Sequence, residues 1–203
     1  MKFNYWLLLL LATIASIVCA IACNPSSSTD DDDTTVDDDA SPADDDDDNT
    51  SATWTDPATG LVWQVTPSTT AMLLADAETY CSGLTLGGLS DWRVPDINAM
   101  RTLVRSCAAT ATGGACGVTD NCLDSSGTTC DNSACAGCAS GSGPAGGCYW
   151  PSQLAGSCTG ANAGYISTSI VADYTIAAWG VDYSLGAVKY LGVHDANSVR
   201  CVH

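Results

Sequence analysis

The chain has 203 residues, room for one domain of ordinary size, and a net charge of −17. Residues 24–53 hold 12 Asp and no basic residue, whereas residues 54–203 hold 11 acidic and 5 basic side chains. No segment is a basic footprint, which argues against nucleic acid and against sulfated or other anionic polymers as default ligands.

Residues 1–22 read as an export signal. Lys2 is the positive n-region, and an apolar run from Trp6 to Val18 leads through small residues to Cys23. The string Ala20-Ile21-Ala22-Cys23 resembles a bacterial lipobox, so Cys23 is expected to carry the diacyl and palmitate chains of a lipoprotein. Ser16-Ile17-Val18-Cys19 is a poorer second match, because Val precedes its Cys. Several acyl chains on one residue give stable membrane anchoring. The alternatives are a plain signal peptide or a short membrane span, for which 17 residues (Trp6–Ala22) lie at the lower edge.

Residues 23–53 form the lipidated Cys and an acidic stalk. Runs Asp30–Asp33, Asp37–Asp39 and Asp44–Asp48 alternate with Ser, Thr, Pro and Ala. With almost nothing apolar to bury, this segment is expected to be disordered. About 30 neutral flexible residues would span roughly 30 Å, and self-repulsion extends them further. Calcium capture by the Asp runs is the alternative, but they lack the Gly-turned loop that converges oxygens on one ion.

Residues 54–203 are the folded part. Ala52–Thr55 and Leu61–Gln64 predict a hairpin, turned at Asp56-Pro57-Ala58-Thr59-Gly60. Ser68-Thr69-Thr70 offer N-caps for a helix from about Ala71 to Ser82, with Leu73, Ala77, Tyr80, Cys81 and Leu84 on its apolar face. Gly83 is its candidate C-cap. In Asp91-Trp92-Arg93-Val94-Pro95, the proline pushes Val94 into an extended conformation. Asp96 then caps a second helix to about Val104, burying Ile97, Met100, Leu103 and Val104, although Ala99 leaves the capping box half built.

Apolar periodicity nearly disappears in the Cys-rich insertion, residues 107–158. Gly164–Thr168 predicts a short strand. Ala178–Tyr183, Ala187–Val193 and Ser198–Val202 predict a terminal three-stranded meander, with Trp179, Val181 and Tyr183 on one face of its first strand. Two helices flanked by strands make the fold class α+β.

Once Cys19 leaves with the signal and Cys23 is acylated, ten Cys remain, an even number suited to an oxidising compartment. Cys81 and Cys201 are outliers. A bridge between them would close a loop of about 120 residues, a crosslink of ~4–5 kcal/mol in the chain-entropy model. The others, Cys107, Cys116, Cys122, Cys130, Cys135, Cys138, Cys148 and Cys158, are expected to form disulfides whose pairing is open. Cys135-Ala-Gly-Cys138 also admits a redox or zinc reading, but no βαβ unit or partner ligand pair accompanies it.

Several motifs recur together: Thr55-Asp56-Pro57-Ala58-Thr59-Gly60-Leu61-Val62-Trp63-Gln64, then Ala77–Cys81, then Asp91–Pro95 followed by a helix with Arg101, and finally Val199-Arg200-Cys201-Val202. In that order they resemble the C-terminal domain family of the Legionella collagen-like protein, over about Trp54 to His203. The resemblance implies a C-type-lectin-like α+β fold in which a helix Cys, here Cys81, pairs with a last-strand Cys, here Cys201. It also implies an extracytoplasmic binding or adhesion module; the namesake domain is associated with attachment to glycosaminoglycans. Here the Glu-Pro-Asn and Trp-Asn-Asp motifs of calcium-dependent lectins are absent and the surface is acidic.

The expected function is therefore a non-catalytic binding or adhesion module on a lipoprotein of the bacterial outer membrane or cell surface. Its partners would be the membrane, through the lipid, and an extracellular glycan or protein. Tyr149, Trp150, Tyr165 and Tyr174 are candidate exposed contacts, each with core or loop packing as the competing reading. A structural envelope component is the alternative function. An enzyme is the weaker one: His194 beside Asp195 on a turn is the only dyad candidate, and no cofactor or metal is expected. Arg93 is a candidate ligand-binding cation, with pairing to Asp91, Asp96 or a strand residue as the structural alternative.

Overall fold

The computed structural model describes residues 51–160 and 163–203. The expected export signal and lipidated Cys23, together with Cys19 and the acidic runs, lie outside the described residues. Among the described residues, no helix is long and apolar enough to cross a membrane. The described residues fold as α+β, with two helices, two small antiparallel sheets and five disulfides.

β1 (Thr53–Thr55) and β2 (Val62–Gln64) pair antiparallel, with Trp54 opposite Trp63. Asp56 closes their turn: its carboxylate accepts from the Ala58 amide and the Thr59 hydroxyl, and Gly60 takes a positive φ of 76°. This is the Asx-type turn that an Asp-Pro-x-x-Gly string favours.

Helix α1 (Leu74–Ser82) starts three residues later than the sequence pattern predicts. Ser68-Thr69-Thr70 are not its caps. Ser68 instead bonds locally to Thr70, and the N-cap position is Leu73, which has no side-chain cap. The reason is tertiary: the Met72 amide donates to Asn197 and the Leu74 amide to Val193, so residues 72–73 are held extended. Leu73 is exposed as a result, and Leu74 joins Ala77 and Cys81 on the buried face. Helix α2 (Ile97–Thr102) has the cap expected: Asp96 Oδ1 accepts from the Ala99 amide at 2.7 Å. Leu103 and Val104 continue its apolar face in the turn beyond.

The main sheet is a meander of β3 (Gly164–Ile170), β4 (Ala177–Asp182) and β5 (Ala187–Gly192). The segment Ser198–Val202 is not its third strand. It bridges Tyr165 in parallel through Ser198, then lies between β2 and Arg93 through Val202. Its backbone bonds are taken there: Gln64 to Cys201, His203 with Val62, and Arg93 with Val202 in both directions. β4 is buried on both faces. Trp179 and Val181 enter a larger core with α2 and the Cys-rich segment, while Ala178 enters a smaller one with Ile166, α1 and Trp92. Gly180 allows this, because a Cβ there would lie 2.4 Å from the Tyr165 carbonyl oxygen.

The Cys-rich segment has one short 3-10 turn, Ser133–Ala136, and otherwise only turns, bends and isolated bridges. It nonetheless supplies Val118, Tyr149, Trp150 and Leu154 to the larger core.

Candidate binding surface and the buried arginines

The elbow at Asp91–Pro95 is built into the frame. Asp91 adopts φ 63°, a left-handed conformation that turns the chain so that Trp92 is buried. The indole of Trp92 donates to the Leu89 carbonyl at 3.1 Å, and its ring lies 5.8 Å from that of His203. The Arg93 side chain is half exposed, 3.9 Å from Asp96. Nearby, Cys81 of α1 is bridged to Cys201 of the terminal segment.

The cysteine cluster forms four bridges: Cys107–Cys138, Cys116–Cys135, Cys122–Cys130 and Cys148–Cys158. The Cys135/Cys138 pair is thus split between two different partners. All ten described cysteines are oxidised, so none of them offers a thiolate for nucleophilic or redox work. Among the described residues no group of three His, Cys, Asp or Glu converges on a metal position.

Two buried arginines were missed by sequence reasoning. Arg101, on α2, is buried and donates to the carbonyls of Thr110, Ala111, Cys116 and Val118. Arg200 is buried likewise. Its guanidinium donates to the carbonyls of Gln64, Val65 and Ala155, and sits 4.9 Å from the Trp150 ring centroid and 5.8 Å from that of Tyr165. Burial lowers the pKa of both, but a guanidinium remains charged. A helical-spacing signal existed for Arg101, four residues after Ile97 and three before Val104. None existed for Arg200, whose whole segment, residues 197–202, is buried.

The large aromatics around Arg200 are core. Trp150, Tyr165 and Tyr183 meet with ring centroids 5.4–5.6 Å apart. Tyr183 donates to the Met100 carbonyl, and burial pushes its phenol pKa well up.

One patch of large apolar side chains remains outside. Tyr174 in the β3–β4 loop is 47% exposed, Ile176 53% and Tyr190 on β5 50%. The rings of Tyr174 and Tyr190 stand edge to face, 6.2 Å between centroids, and Tyr190 leans 6.0 Å from the buried Trp179. Trp179 is itself anchored, its indole donating to the Leu123 carbonyl. The Val193 amide bonds to the Ile176 carbonyl and closes the patch at the sheet end. Two carboxylates lie close to its residues along the chain. Asp173 precedes Tyr174; the Ser125 amide, donating to it, holds its carboxyl down to about 2. Asp195 folds back on Gly192, where a Cβ would lie 2.2 Å from Asp195 Oδ2. Residues 190 and 192 lie on one face of β5. Elsewhere an open groove of about 660 Å³ runs along β1, lined by Thr53, Trp54, Gln64, Leu86 and residues 152–155.

The family model of the Lcl C-terminal domain matches residues 52–203. The chain belongs to the Lcl C-terminal domain family. No curated protein and no solved structure matches the chain.

In this Lcl C-terminal domain the four aromatics singled out as exposed contacts separate sharply. Tyr149, Trp150 and Tyr165 are at most 2% exposed and pack in the core; Tyr174 alone is at the surface. For these three the competing reading, packing in the core, holds. Tyr149 and Trp150 are among the few large side chains of the apolar-poor Cys-rich segment and are needed to fill the core, and Tyr165 lies on the buried strand β3. Tyr190 and Ile176 went unnoticed, because alternation along β4 and β5 does not reveal which strand end is covered. His194 and Asp195 are exposed on the turn after β5. Arg93 is placed beside Asp96 rather than in a cleft.

Proposed function

We propose that this protein is a lipid-anchored cell-surface lipoprotein whose folded unit is a non-catalytic binding module with a C-type-lectin-like fold. The contact surface is the Tyr174–Ile176–Tyr190 patch. One observation carries this reading: the exposed large apolar residues of the described chain, Leu73 apart, gather at one end of the meander, held from beneath by Trp179. A scattered exposed Leu needs no explanation, whereas adjacent exposed aromatics mark interaction surfaces.

Closure of the domain by a helix-to-C-terminal-segment disulfide supports the lectin-like reading. Five disulfides in a chain with an export signal support an oxidising extracytoplasmic location. The test is binding of the full-length protein to an array of glycans and surface proteins, with Tyr174→Ala/Tyr190→Ala as comparison. Hits lost in the double variant, at unchanged melting temperature, are expected. Hits that survive it move the site elsewhere; an array without hits refutes a binding module. Anchoring is tested separately: Cys23→Ser should release the protein from the membrane fraction.

A further inference from the structure

We infer that the Tyr174–Tyr190 patch recognises a cationic segment, a Lys- or Arg-bearing stretch of a protein partner; this rests on the binding-module reading and names its ligand chemistry. The charge inventory of the folded part carries the inference. Five basic side chains lie in residues 54–203. Arg101 and Arg200 are buried among carbonyls, where no ligand reaches them. The remaining three each have a carboxylate at hand: Arg93 with Asp96, Arg105 with Asp56, Lys189 with Asp182.

An anionic ligand therefore meets an acidic surface on which every Lys and Arg is already engaged. Acidic side chains outnumber these ion pairs, since 11 lie in the same residues. Asp173 immediately precedes Tyr174, and Asp195 folds against Gly192, two residues along β5 from Tyr190. The field at the patch thus draws in positive charge and repels negative charge. What waits there is suited to it. Half-exposed tyrosine rings offer negative faces to a Lys ammonium or Arg guanidinium, and Ile176 offers a surface for the aliphatic stem. The Asp173 carboxylate is fixed by the Ser125 amide and hydroxyl, so it is oriented before a ligand arrives.

The probe is a labelled ten-residue peptide alternating Lys and Gly, read by fluorescence anisotropy with the full-length protein at physiological salt. A Gln/Gly peptide is the uncharged control. The acidic stalk attracts the Lys peptide in every variant, so only differences between variants are read. Tyr190→Leu and Tyr174→Leu should each weaken binding about threefold, the scale of an exposed cation–π contact. Tyr190→Phe should bind as the parent does, because it keeps a π face, and Tyr190→Trp should bind more tightly.

Equal affinity of the Leu and Phe variants would sink the inference, as attraction would then reside in the stalk or the general field. So would equal binding of the Gln/Gly peptide. If a neutral oligosaccharide binds in a Tyr190-dependent way while the Lys peptide does not, the binding module stands and the cationic ligand falls. If Tyr190→Leu changes neither, the cationic ligand falls together with the patch as the contact surface.

Discussion

The frame, residues 52–104 and 163–203, and the Cys-rich segment, residues 107–158, meet in one core yet are held by opposite means. The frame is held by backbone. β2, the elbow and β3 all bond to the terminal segment, and one long-range disulfide, Cys81–Cys201, locks the arrangement. The Cys-rich segment has little regular structure, and four short-range disulfides take that role. Each region also wraps its carbonyls around an arginine. Arg101 donates to Cys-rich carbonyls; Arg200 donates through its two terminal nitrogens to frame carbonyls at Gln64 and Val65 and to Ala155, while its buried Nε has no partner. A loop-rich segment has carbonyls that no ladder consumes, and a five-donor guanidinium can gather them at one point. The comparison teaches that irregular backbone can be ordered when a donor from the regular part is sunk into it.

The largest expected effect is on the frame. Replacing Cys81 and Cys201 together by Ala removes the crosslink that spans 120 residues. It should cost about 4 kcal/mol in chemical denaturation. A cost below that of any cluster bridge would show that the terminal segment is secured by backbone bonds alone.

Next is the join between regions. Arg101→Met leaves the carbonyls of Thr110, Cys116 and Val118 without their donor and that of Ala111 with the Gly114 amide alone. The expected loss is about 3 kcal/mol. Hydrogen exchange should rise first in residues 109–118. Uniform loss of protection across the β-sheet instead would mean that the segment is not independently ordered by this contact.

Third, the Cys122→Ala/Cys130→Ala variant opens a loop of only 8 residues. It should cost about 2.5 kcal/mol, less than the long-range bridge, and leave the frame's near-ultraviolet signal unchanged.

The smallest effect is a pH limb. Asp173 has a carboxyl held down to about 2 by hydrogen bonds, first from the Ser125 amide. A lowered folded-state pKa stabilises the protein above the ordinary carboxylate range, and this is lost as pH falls through the interval down to about 2. Asp173→Asn should therefore lower the melting temperature slightly at neutral pH and flatten the acid limb below about pH 5, with the two proteins converging as pH falls toward about 2. An unchanged acid limb would show that the Ser125 contact contributes nothing.

Much of the frame was legible because short-range chemistry controls it. The Asp56–Gly60 turn, the Asp96 cap and the alternation through Trp179, Val181 and Tyr183 each need only neighbours within a few residues. The errors have one origin. Ser68–Thr70 lost their capping role because Asn197 and Val193 claim the backbone at Met72 and Leu74. Ser198–Val202 left the meander because β2 and Arg93 offered it backbone partners. In both cases a distant segment supplied the hydrogen bonds that local pattern assigned elsewhere.

Sequence alone determined the class of this protein: an α+β, disulfide-rich domain of the Lcl C-terminal family, with its acidic charge split between two segments. Composition, turn chemistry and cysteine content are local or additive properties, so they survive without coordinates. Only the tertiary structure decided which of 105 pairings the eight clustered cysteines adopt, that Arg101 and Arg200 are buried, and that Tyr174 and Tyr190 stand exposed where Tyr149, Trp150 and Tyr165 do not. Those outcomes depend on which segments meet across the core, and an aromatic or a cation has the same local signature whether it is covered or left at the surface.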